Sequence, residues 1–374
     1  MIYLNNAATS WPKAKGLAGY MSRVIDGIPV HGSRATGNGE TVESRNARKE
    51  LAQLMEISDC TRISYMENGT HGLNTALLGY TWEEGDVILT SAAEHNSVLR
   101  PLWWLKKNRG VEYVILPVQG DGRIKMECLS EALQQYHPKM VVITHASNVT
   151  GAVNPLEEIT ALAHKAGAVV LADACQSLGI IPVLPQQWGV DMLAFTGHKY
   201  LLGPQGTGGI YVREGIMLDP VMTGGTGIFS DEEEMPAQMP LRLEAGTQNE
   251  QGFQGLGWSV NWLKNHPMNP PKWMEWCEEL EDVLQGLGVR TIPVRGTRTP
   301  VLSFTVPGYT PEEIGDILYG SYDIICRTGL HCAPLILPYL GLGKQGSVRI
   351  SMSRFTTREE LEAFLQAIKE IVSE

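Results

Sequence analysis

The chain has 374 residues, of which 43% are hydrophobic and 19% are charged. A chain of this length and composition can bury a large core, so general disorder is excluded and one or two globular domains are expected. The 41 Asp and Glu residues outnumber the 30 Lys and Arg residues, which gives a formal net charge of -11. Because no long basic stripe is present to bind a polyanion, we expect no nucleic acid partner.

The amino-terminal residues and the cysteines indicate the compartment. Residues 1–9 lack the basic start and apolar run of a signal peptide, and no stretch reaches the roughly 18 apolar residues of a membrane helix. We therefore expect a cytoplasmic protein without a membrane partner. The six cysteines show no CxxC spacing, so we interpret them as reduced thiols and predict no metal site.

Short apolar, β-branched runs alternate with amphipathic stretches over roughly residues 15–245. The predicted strands are residues 87–90, 111–117, 140–144, 168–172, 192–195 and 209–212. The predicted helices are residues 41–55, 69–80, 96–107, 125–136 and 155–166. This alternation predicts an α/β fold whose mainly parallel sheet is covered by helices on both faces.

The carboxyl-terminal part has a different pattern. Residues 224–240 combine glycines, prolines and four consecutive acidic residues, which predicts a solvated loop, with the edge of a site as the alternative. The elements predicted after it are helices near 250–265 and 273–287, strands near 291–294, 301–306, 324 and 348, and helices from 311 and 357. We therefore predict a large domain of residues 15–250 and a smaller α+β domain formed by residues 1–14 and 251–374.

A lysine and an aspartate point to the chemistry. Lys199 lies in the segment FTGHKYLLGPQGTGG, between a predicted strand and a glycine-rich turn, where its amine can form a Schiff base with an aldehyde. Thr196 and His198 of the same segment can contact a phosphate. Asp173 ends an earlier strand at the rim where α/β sheets bind ligands, and it can pair with a pyridinium nitrogen. Taken alone, Lys199 would be interpreted as a solvated loop residue and Asp173 as a helix cap.

Together with the segment IYLNNAAT at residues 2–9, these motifs resemble the cysteine desulfurase and selenocysteine lyase family of the class V aminotransferase group. The resemblance covers essentially the whole chain. It implies fold type I, with a mainly parallel seven-stranded sheet in the large domain and a smaller α+β domain. It also implies the cofactor pyridoxal 5′-phosphate, which Lys199 bonds, Asp173 contacts at the ring nitrogen and Gln176 approaches at the phenolic oxygen.

Further cofactor contacts follow from the resemblance. The EHN motif places His95 on the cofactor ring, where it can assist proton transfer. The NGTHG motif places Gly69, Thr70 and His71 at the phosphate, in agreement with the anion affinity of a helix start. Asn148 of the HASN segment contacts the cofactor or the substrate. Each of these residues alone fits an ordinary helix start or cap.

The segment EAGTQN resembles one whose threonine, here Thr247, reaches the phosphate of the neighbouring subunit. The resemblance therefore implies a homodimer with shared active sites. Without the other motifs, Thr247 would be an ordinary helix-start threonine.

The segment CRTGLHCAP decides among the reactions that the cofactor supports. In the family it carries the nucleophilic cysteine, here Cys332, and its spacing matches group II desulfurases. We expect His331 and Arg327 to raise the fraction of thiolate at Cys332. The resemblance also assigns Arg349, with Arg327 and Asn148, to the substrate, because a guanidinium fork binds a carboxylate in a bidentate manner.

The implied reaction converts L-cysteine to L-alanine and leaves the sulfur on Cys332 as a persulfide, which an acceptor protein or a small thiol then takes. L-selenocysteine is the alternative substrate. One rival is a selenocysteine lyase or a cysteine or cystine C–S lyase, whose turnover survives loss of Cys332. The other is a non-catalytic cofactor-binding or sulfur-carrier protein. A further hypothesis is that Cys326 resolves the persulfide.

Overall fold

The computed structural model describes residues 1–27, 42–268, 272–343 and 345–373, with the backbone alone for residues 42–45. The strands are β1 Ile2–Tyr3, β2 Ile63–Met66, β3 Val87–Ser91, β4 Glu112–Leu116, β5 Met140–Thr144, β6 Val169–Asp173, β7 Met192–Thr196, β8 Gly208–Val212, β9 Arg290–Thr291, β10 Val301–Thr305, β11 Ile324–Ile325, β12 Arg327–Gly329 and β13 Ser347–Ser351. The α-helices are α1 Leu17–Asp26, α2 Val42–Leu54, α3 Gly69–Gly79, α4 Asn96–Arg109, α5 Met126–Tyr136, α6 Leu156–Lys165, α7 Glu250–Asn265, α8 Trp273–Gly286, α9 Pro311–Tyr322, α10 Ile336–Tyr339 and α11 Arg358–Ser373.

The large sheet has seven strands in the order β2-β8-β7-β6-β5-β3-β4. Its neighbours from β7 to β4 run parallel, whereas β8 is antiparallel to both β7 and β2. Every residue of β5 and β7 is buried, as expected for strands that helices cover on both faces. The predicted α/β class with a mainly parallel seven-stranded sheet is confirmed.

The predicted strands and helices of the large sheet lie close to their expected positions, and α2 is described from Val42, so the predicted start at Thr41 lies outside the described residues. In the part of the chain that precedes and forms the large sheet, the helix α1 and the edge strand β2 were not predicted. A strand of four residues such as β2 is too short to show a reliable alternation of apolar and polar side chains.

The second sheet is antiparallel, in the order β12-β13-β10-β9, and β1 pairs with β11 in a separate parallel pair. Its core contains Phe304 of β10, Ile350 of β13 and Phe364 of α11. The strand predicted at residues 291–294 is limited to Arg290–Thr291, and β12 was not predicted. Both are too short for a periodic signal. The start of α9 is fixed by a capping box between Thr310 and Glu313.

The predicted division after residue 250 stays a prediction. Helix α7, which begins there, packs Phe253, Leu256 and Val260 into the core beneath the large sheet, together with Leu51 of α2. The acidic loop at residues 224–240 has no helix or strand and lines a cavity of about 850 Å³. In the described part of the chain, no helix is long and apolar enough to cross a membrane.

Candidate functional site

A cavity of about 370 Å³ lies at the carboxyl ends of three parallel strands of the large sheet. Thr144, Asp173 and Thr196 end β5, β6 and β7, and all three line it. This is the edge at which open α/β sheets bind ligands. The sequence-predicted residues that line the cavity are Gly69, Thr70, His95, Asn148, Asp173, Gln176, Thr196, His198, Lys199 and Arg327.

Lys199 is half-buried and lines the cavity. Burial lowers the pKa of Lys199, and the positive charges of Arg349 and Arg327 lower it further, although Cys175 and Asp173 act in the opposite direction. A lysine whose pKa is lowered carries more neutral amine, which is the nucleophilic form. Asp173, which is 5% exposed, accepts a hydrogen bond from the backbone N–H of Cys175 at 2.9 Å.

His95 caps the start of α4 and is held as a neutral ring. Its Nδ1 accepts hydrogen bonds from the backbone N–H of Ser97 at 3.1 Å and from the Ser97 hydroxyl at 2.8 Å. Burial lowers the pKa of His95 to about 4, even though Asp173 raises it. Because Nδ1 is an acceptor, the single proton of the neutral ring lies on Nε2.

The start of α3 approaches Cys175 closely. Asn68 caps the helix by accepting the backbone N–H of His71 at 2.9 Å. A Cβ atom added at Gly69 would lie 2.2 Å from the Cys175 sulfur, so only glycine fits there without a shift. Gly69 and Thr70 line the cavity, whereas the His71 side chain lies on the same helical turn outside the lining.

Two buried oxygens at the cavity have no protein partner among the described residues. They are Oγ1 of Thr196 and Oε1 of Gln176, both on side chains that line the cavity. The other end of the Gln176 amide donates to the carbonyl of Ala7 at 2.9 Å, so its orientation is fixed. Because buried polar groups are normally hydrogen-bonded, these oxygens are suited to a polar ligand.

The backbone beside Lys199 is tied to the amino-terminal segment. The carbonyl of His198 accepts hydrogen bonds from the Lys13 amine at 2.8 Å and from the Ser10 backbone N–H at 3.0 Å. Burial lowers the pKa of Lys13 to about 8. The His198 ring contacts the Thr9 hydroxyl at 3.1 Å. Burial lowers the pKa of His198 to about 4.

Cys332 is not part of the cavity lining, but it contacts the guanidinium group of Arg327, which does line the cavity. Nη2 of Arg327 donates to the Cys332 sulfur at 3.0 Å. The expectation that His331 also provides positive charge is wrong. Its side chain is buried, and burial together with Arg349 and Arg327 lowers the pKa of His331 to about 2. The ring is neutral and contacts the Ser347 hydroxyl at 2.9 Å.

Arg349 lies behind the cavity lining and is fully buried. Its Nη1 donates to the backbone carbonyl of Asn148 at 2.9 Å, and its Nη2 donates to Oδ1 of Asn5 at 3.2 Å. Arg349 faces Arg327 across the paired strands β13 and β12. Burial and the Arg327 charge lower the pKa of Arg349 to about 10. Two adjacent guanidinium groups favour an anion beside them.

Thr247 is a predicted site residue that the structure does not bring into this arrangement. It is exposed on the loop before α7 and does not line the cavity of its own chain. Sequence reasoning missed Asn5, Lys13 and Ser97. Asn5 lies in the recognised segment at residues 2–9, whereas Lys13 and Ser97 carry no separate signal. In the part of the chain that is described, no group of three or more His, Cys, Asp or Glu residues is arranged to hold a metal ion.

Comparison with protein families decides the relationship. The family model described as aminotransferase class V matches residues 2–364. The chain belongs to this family. Among the class V relatives, a probable cysteine desulfurase of Methanothermobacter thermautotrophicus is 30% identical over 88% of this chain and 84% of its own length. A cysteine desulfurase of Salmonella agona is 30% identical over 91% of this chain and 86% of its own.

Solved structures of the family have the same fold. An apo cysteine desulfurase from Thermococcus onnurineus superposes with a TM-score of 0.89 at 27% identity and covers 100% of this chain and 94% of its own. The cysteine desulfurase CsdA of Escherichia coli, in an S-sulfonic acid form, gives a TM-score of 0.87 at 26% identity, with 99% and 94% of the two chains covered. This chain is therefore a class V protein that resembles cysteine desulfurases over its whole length.

Proposed function

We propose that the chain is a pyridoxal 5′-phosphate-dependent cysteine desulfurase, which converts L-cysteine to L-alanine and takes the sulfur on Cys332 as a persulfide. The observation that carries the proposal is that Arg327, which lines the same cavity as Lys199 and Asp173, contacts the Cys332 sulfur through its guanidinium. This contact holds the sulfur of the proposed nucleophile beside an arginine of the cavity.

The cavity residues fit pyridoxal 5′-phosphate. Lys199 offers its amine to the aldehyde of the cofactor, and Asp173 offers a carboxylate to the ring nitrogen. The oxygens of Thr196 and Gln176 that lack protein partners among the described residues are available to its polar atoms. The start of α3 at Gly69, with no room for a side chain, suits a phosphate. We further assign Thr70, His71 and His198 to the surroundings of the phosphate.

The bound cofactor supplies an electron sink that stabilises negative charge at the substrate α-carbon. The protein residues that transfer protons in this proposal are Lys199 and His95. Nζ of Lys199 takes the α-proton, since its lowered pKa leaves more of the neutral amine that can accept it. Nε2 of the neutral His95 lies free of the capping contacts that hold Nδ1, so this nitrogen can exchange a proton with the substrate.

The substrate carboxylate would be bound by two arginines. Arg327 lines the cavity, and Arg349 is its cross-strand neighbour. A carboxylate there reduces the repulsion between the two guanidinium groups. Nη1 and Nη2 of Arg349 donate to Asn148 and Asn5, but its buried Nε has no hydrogen-bond partner among the described residues and is available to the carboxylate.

The sulfur step would proceed by attack of the Cys332 thiolate on the sulfur of L-cysteine. A sulfur–sulfur bond forms, the carbon–sulfur bond of the substrate breaks, and the electron pair of that bond stays with the substrate carbon, which takes up a proton and becomes the methyl group of alanine. Cys332 keeps one additional sulfur atom as a persulfide. A sulfur-acceptor protein or a small thiol then removes it, and we place this exchange in the cytoplasm.

The product balance tests the proposal. The protein is reconstituted with pyridoxal 5′-phosphate and given L-cysteine and a reductant, and alanine and sulfide are quantified. We expect equal amounts of both from the unaltered protein and the loss of both from Cys332→Ala. Pyruvate with ammonia, or unchanged turnover in Cys332→Ala, would establish a C–S lyase instead. A parallel assay with L-selenocysteine tests the selenocysteine lyase alternative, which predicts the higher kcat/KM for that substrate.

Cys326→Ala is the matched control for Cys332→Ala. Burial raises the pKa of the Cys326 thiol to about 11, so this thiol is a poor nucleophile near neutral pH. We expect Cys326→Ala to turn over L-cysteine and to accumulate persulfide like the unaltered protein. Slower release of persulfide sulfur in this variant would support the hypothesis that Cys326 resolves the persulfide.

We also propose a homodimer in which Thr247 serves the site of the partner subunit, because Thr247 is exposed and does not line the cavity of its own chain. Subunit exchange between Thr247→Asp and Lys199→Ala proteins tests this. Each variant alone lacks a complete site, since Asp at 247 repels a phosphate and Ala at 199 lacks the amine. A mixed dimer would regain one intact site and measurable turnover. If the mixed dimer regains no activity, Thr247 either serves the site of its own chain or lies outside the site.

A further inference from the structure

We propose that His331 is a positioning residue, which ties the loop of Cys332 to β13 and to Asn148 so that the Cys332 sulfur stays against Arg327. The inference rests on the proposed role of Cys332 as the sulfur acceptor and adds how its thiol is held in place. In this inference, His331 positions the Cys332 loop, and its neutral ring provides no positive charge to the Cys332 sulfur.

The backbone of this loop needs to be held. His331 has a φ of 53° and Cys332 a φ of 59°, so two successive residues with side chains occupy the left-handed region. This region is sparsely populated by residues other than glycine, and it persists where the surroundings hold it. A bare loop would relax away from this conformation and carry the Cys332 sulfur with it.

Two hydrogen bonds fix the loop through its carbonyl groups. The carbonyl of His331 accepts the side-chain amide of Asn148 at 2.7 Å, and the carbonyl of Cys332 accepts the backbone N–H of Asn96 at 2.7 Å. Asn96 is the first residue of α4, directly after His95, and Asn148 lines the cavity. Both donors therefore lie beside the proposed reaction centre.

The His331 ring provides the third anchor. Its Nε2 contacts the hydroxyl of Ser347 at 2.9 Å, and both side chains are buried. Ser347 begins β13 and lies opposite Gly329, the last residue of β12. The His331 ring thus attaches the loop after β12 to the neighbouring strand β13. This attachment keeps Cys332 close to Arg327, the first residue of β12.

The ring has no other evident task. Burial keeps the pKa of His331 far below neutral, with the two arginines adding to the effect, so the ring neither supplies a positive charge nor exchanges protons near neutral pH. Its remaining nitrogen, Nδ1, is buried and has no hydrogen-bond partner among the described residues. A side chain that is buried, neutral and anchored at one nitrogen acts through its position.

Two variants release the loop in different ways. Ser347→Ala removes the hydroxyl that holds the ring. His331→Asn keeps a residue type that tolerates a positive φ but is too short to reach Ser347. Ser303→Ala is the matched control, because Ser303 is a buried serine of the same sheet whose hydroxyl donates to the carbonyl of Val149 at 2.6 Å and not to the Cys332 loop.

The readouts are the alkylation rate of Cys332 in the holoenzyme, followed by peptide mass spectrometry, and the steady-state formation of alanine. We expect Ser347→Ala and His331→Asn to slow alkylation severalfold and to lower kcat on the order of 10²-fold, as for a misplaced reacting group, with KM for L-cysteine little changed. Ser303→Ala should match the unaltered protein in both.

A double variant distinguishes the proposed route from general damage. If Ser347 acts through the Arg327–Cys332 contact, then Ser347→Ala combined with Arg327→Met should be alkylated no more slowly than Arg327→Met alone. Unaltered alkylation and kcat in Ser347→Ala and His331→Asn would overturn the inference, as would an equal loss in Ser303→Ala. The alkylation arm does not depend on turnover, so its result is separate from a failure of the proposed function, which activity in Cys332→Ala would reveal.

Discussion

The α-carbon of Gly69 faces the sulfur of Cys175 so closely that a Cβ atom on Gly69 would lie 2.2 Å from it. The next nearest atoms to such a Cβ are at 3.8 Å, so the sulfur alone excludes a larger residue. The two residues come from the start of α3 and the turn after β6, and both line the candidate cofactor cavity. Glycine at position 69 therefore lets these two segments meet.

This contact predicts a rescue. Gly69→Ala forces either the Cys175 sulfur or the helix start to move, at a cost of up to roughly 1–3 kcal/mol for an overpacked site, and should weaken pyridoxal 5′-phosphate binding by up to about tenfold. Cys175→Ala makes room for the added methyl group, so the double variant should bind the cofactor nearly as well as Cys175→Ala alone. Absorbance titration of the apoproteins measures this. Binding by Gly69→Ala equal to that of the unaltered protein, or a double variant without recovery, would contradict the close contact.

A second prediction concerns the charge of Asp173. Asp173→Asn keeps an oxygen that can accept the Cys175 N–H, so the local turn should be preserved, but it removes the negative charge from the cavity. We expect kcat to fall on the order of 10²-fold or more, as for loss of a preorganised electrostatic contact, while the melting temperature of the apoprotein stays close to that of the unaltered protein. A variant with full turnover would remove Asp173 from the cofactor site.

A third prediction concerns acid stability and His145. This ring is buried and lies edge-on to Trp188, with 5.3 Å between ring centroids, and burial lowers its pKa to about 3. In the unfolded chain the His145 ring takes up a proton near pH 6.5, whereas in the folded chain the ring stays neutral at that pH. His145 therefore contributes stability above about pH 6.5 that is lost as the pH falls, by about 1.4 kcal/mol per pH unit at the steepest.

Urea unfolding between pH 7 and pH 5 measures this dependence. His145→Gln lacks the titrating ring, so its free energy of unfolding should fall less steeply with acid than that of the unaltered protein. Comparing the two proteins removes the contribution of Glu94, whose pKa burial raises to about 8 and which acts in the opposite direction. Equal slopes for the two proteins would contradict the buried, neutral state of His145.

The central sheet was predictable because its strands carry their own signal. The run of apolar residues in β5 is buried from end to end, and the strand ends place Asp173 and Thr196 at one edge. Periodicity provides this information locally. The short strands β9 and β12 are instead held by their neighbours, and such pairing leaves no pattern in two or three residues.

Sequence motifs indicate candidate site residues such as Lys199, which the structure places at the cavity, but they do not show contacts made by residues distant in the chain. His331 was expected to provide charge, because sequence shows it beside Cys332 and does not show Ser347 or the burial that keeps the ring neutral. The role of Arg349 at the substrate stays a prediction, and the sequence does not show its contacts with Asn5 and Asn148, which come from segments far away in the chain. Contacts between residues that are far apart in the sequence depend on tertiary packing, so they can be seen only in the structure.

The most direct test of the central claim locates the transferred sulfur. The holoenzyme is given a limited amount of L-cysteine without reductant, alkylated, digested and analysed by mass spectrometry, with Cys332→Ala and Cys326→Ala beside it. We predict one additional sulfur atom on the peptide that carries Cys332, matched by one alanine released, in the unaltered protein and in Cys326→Ala. Alanine released with no sulfur on Cys332, or the same sulfur adduct on another cysteine of Cys332→Ala at the same rate, would contradict the account.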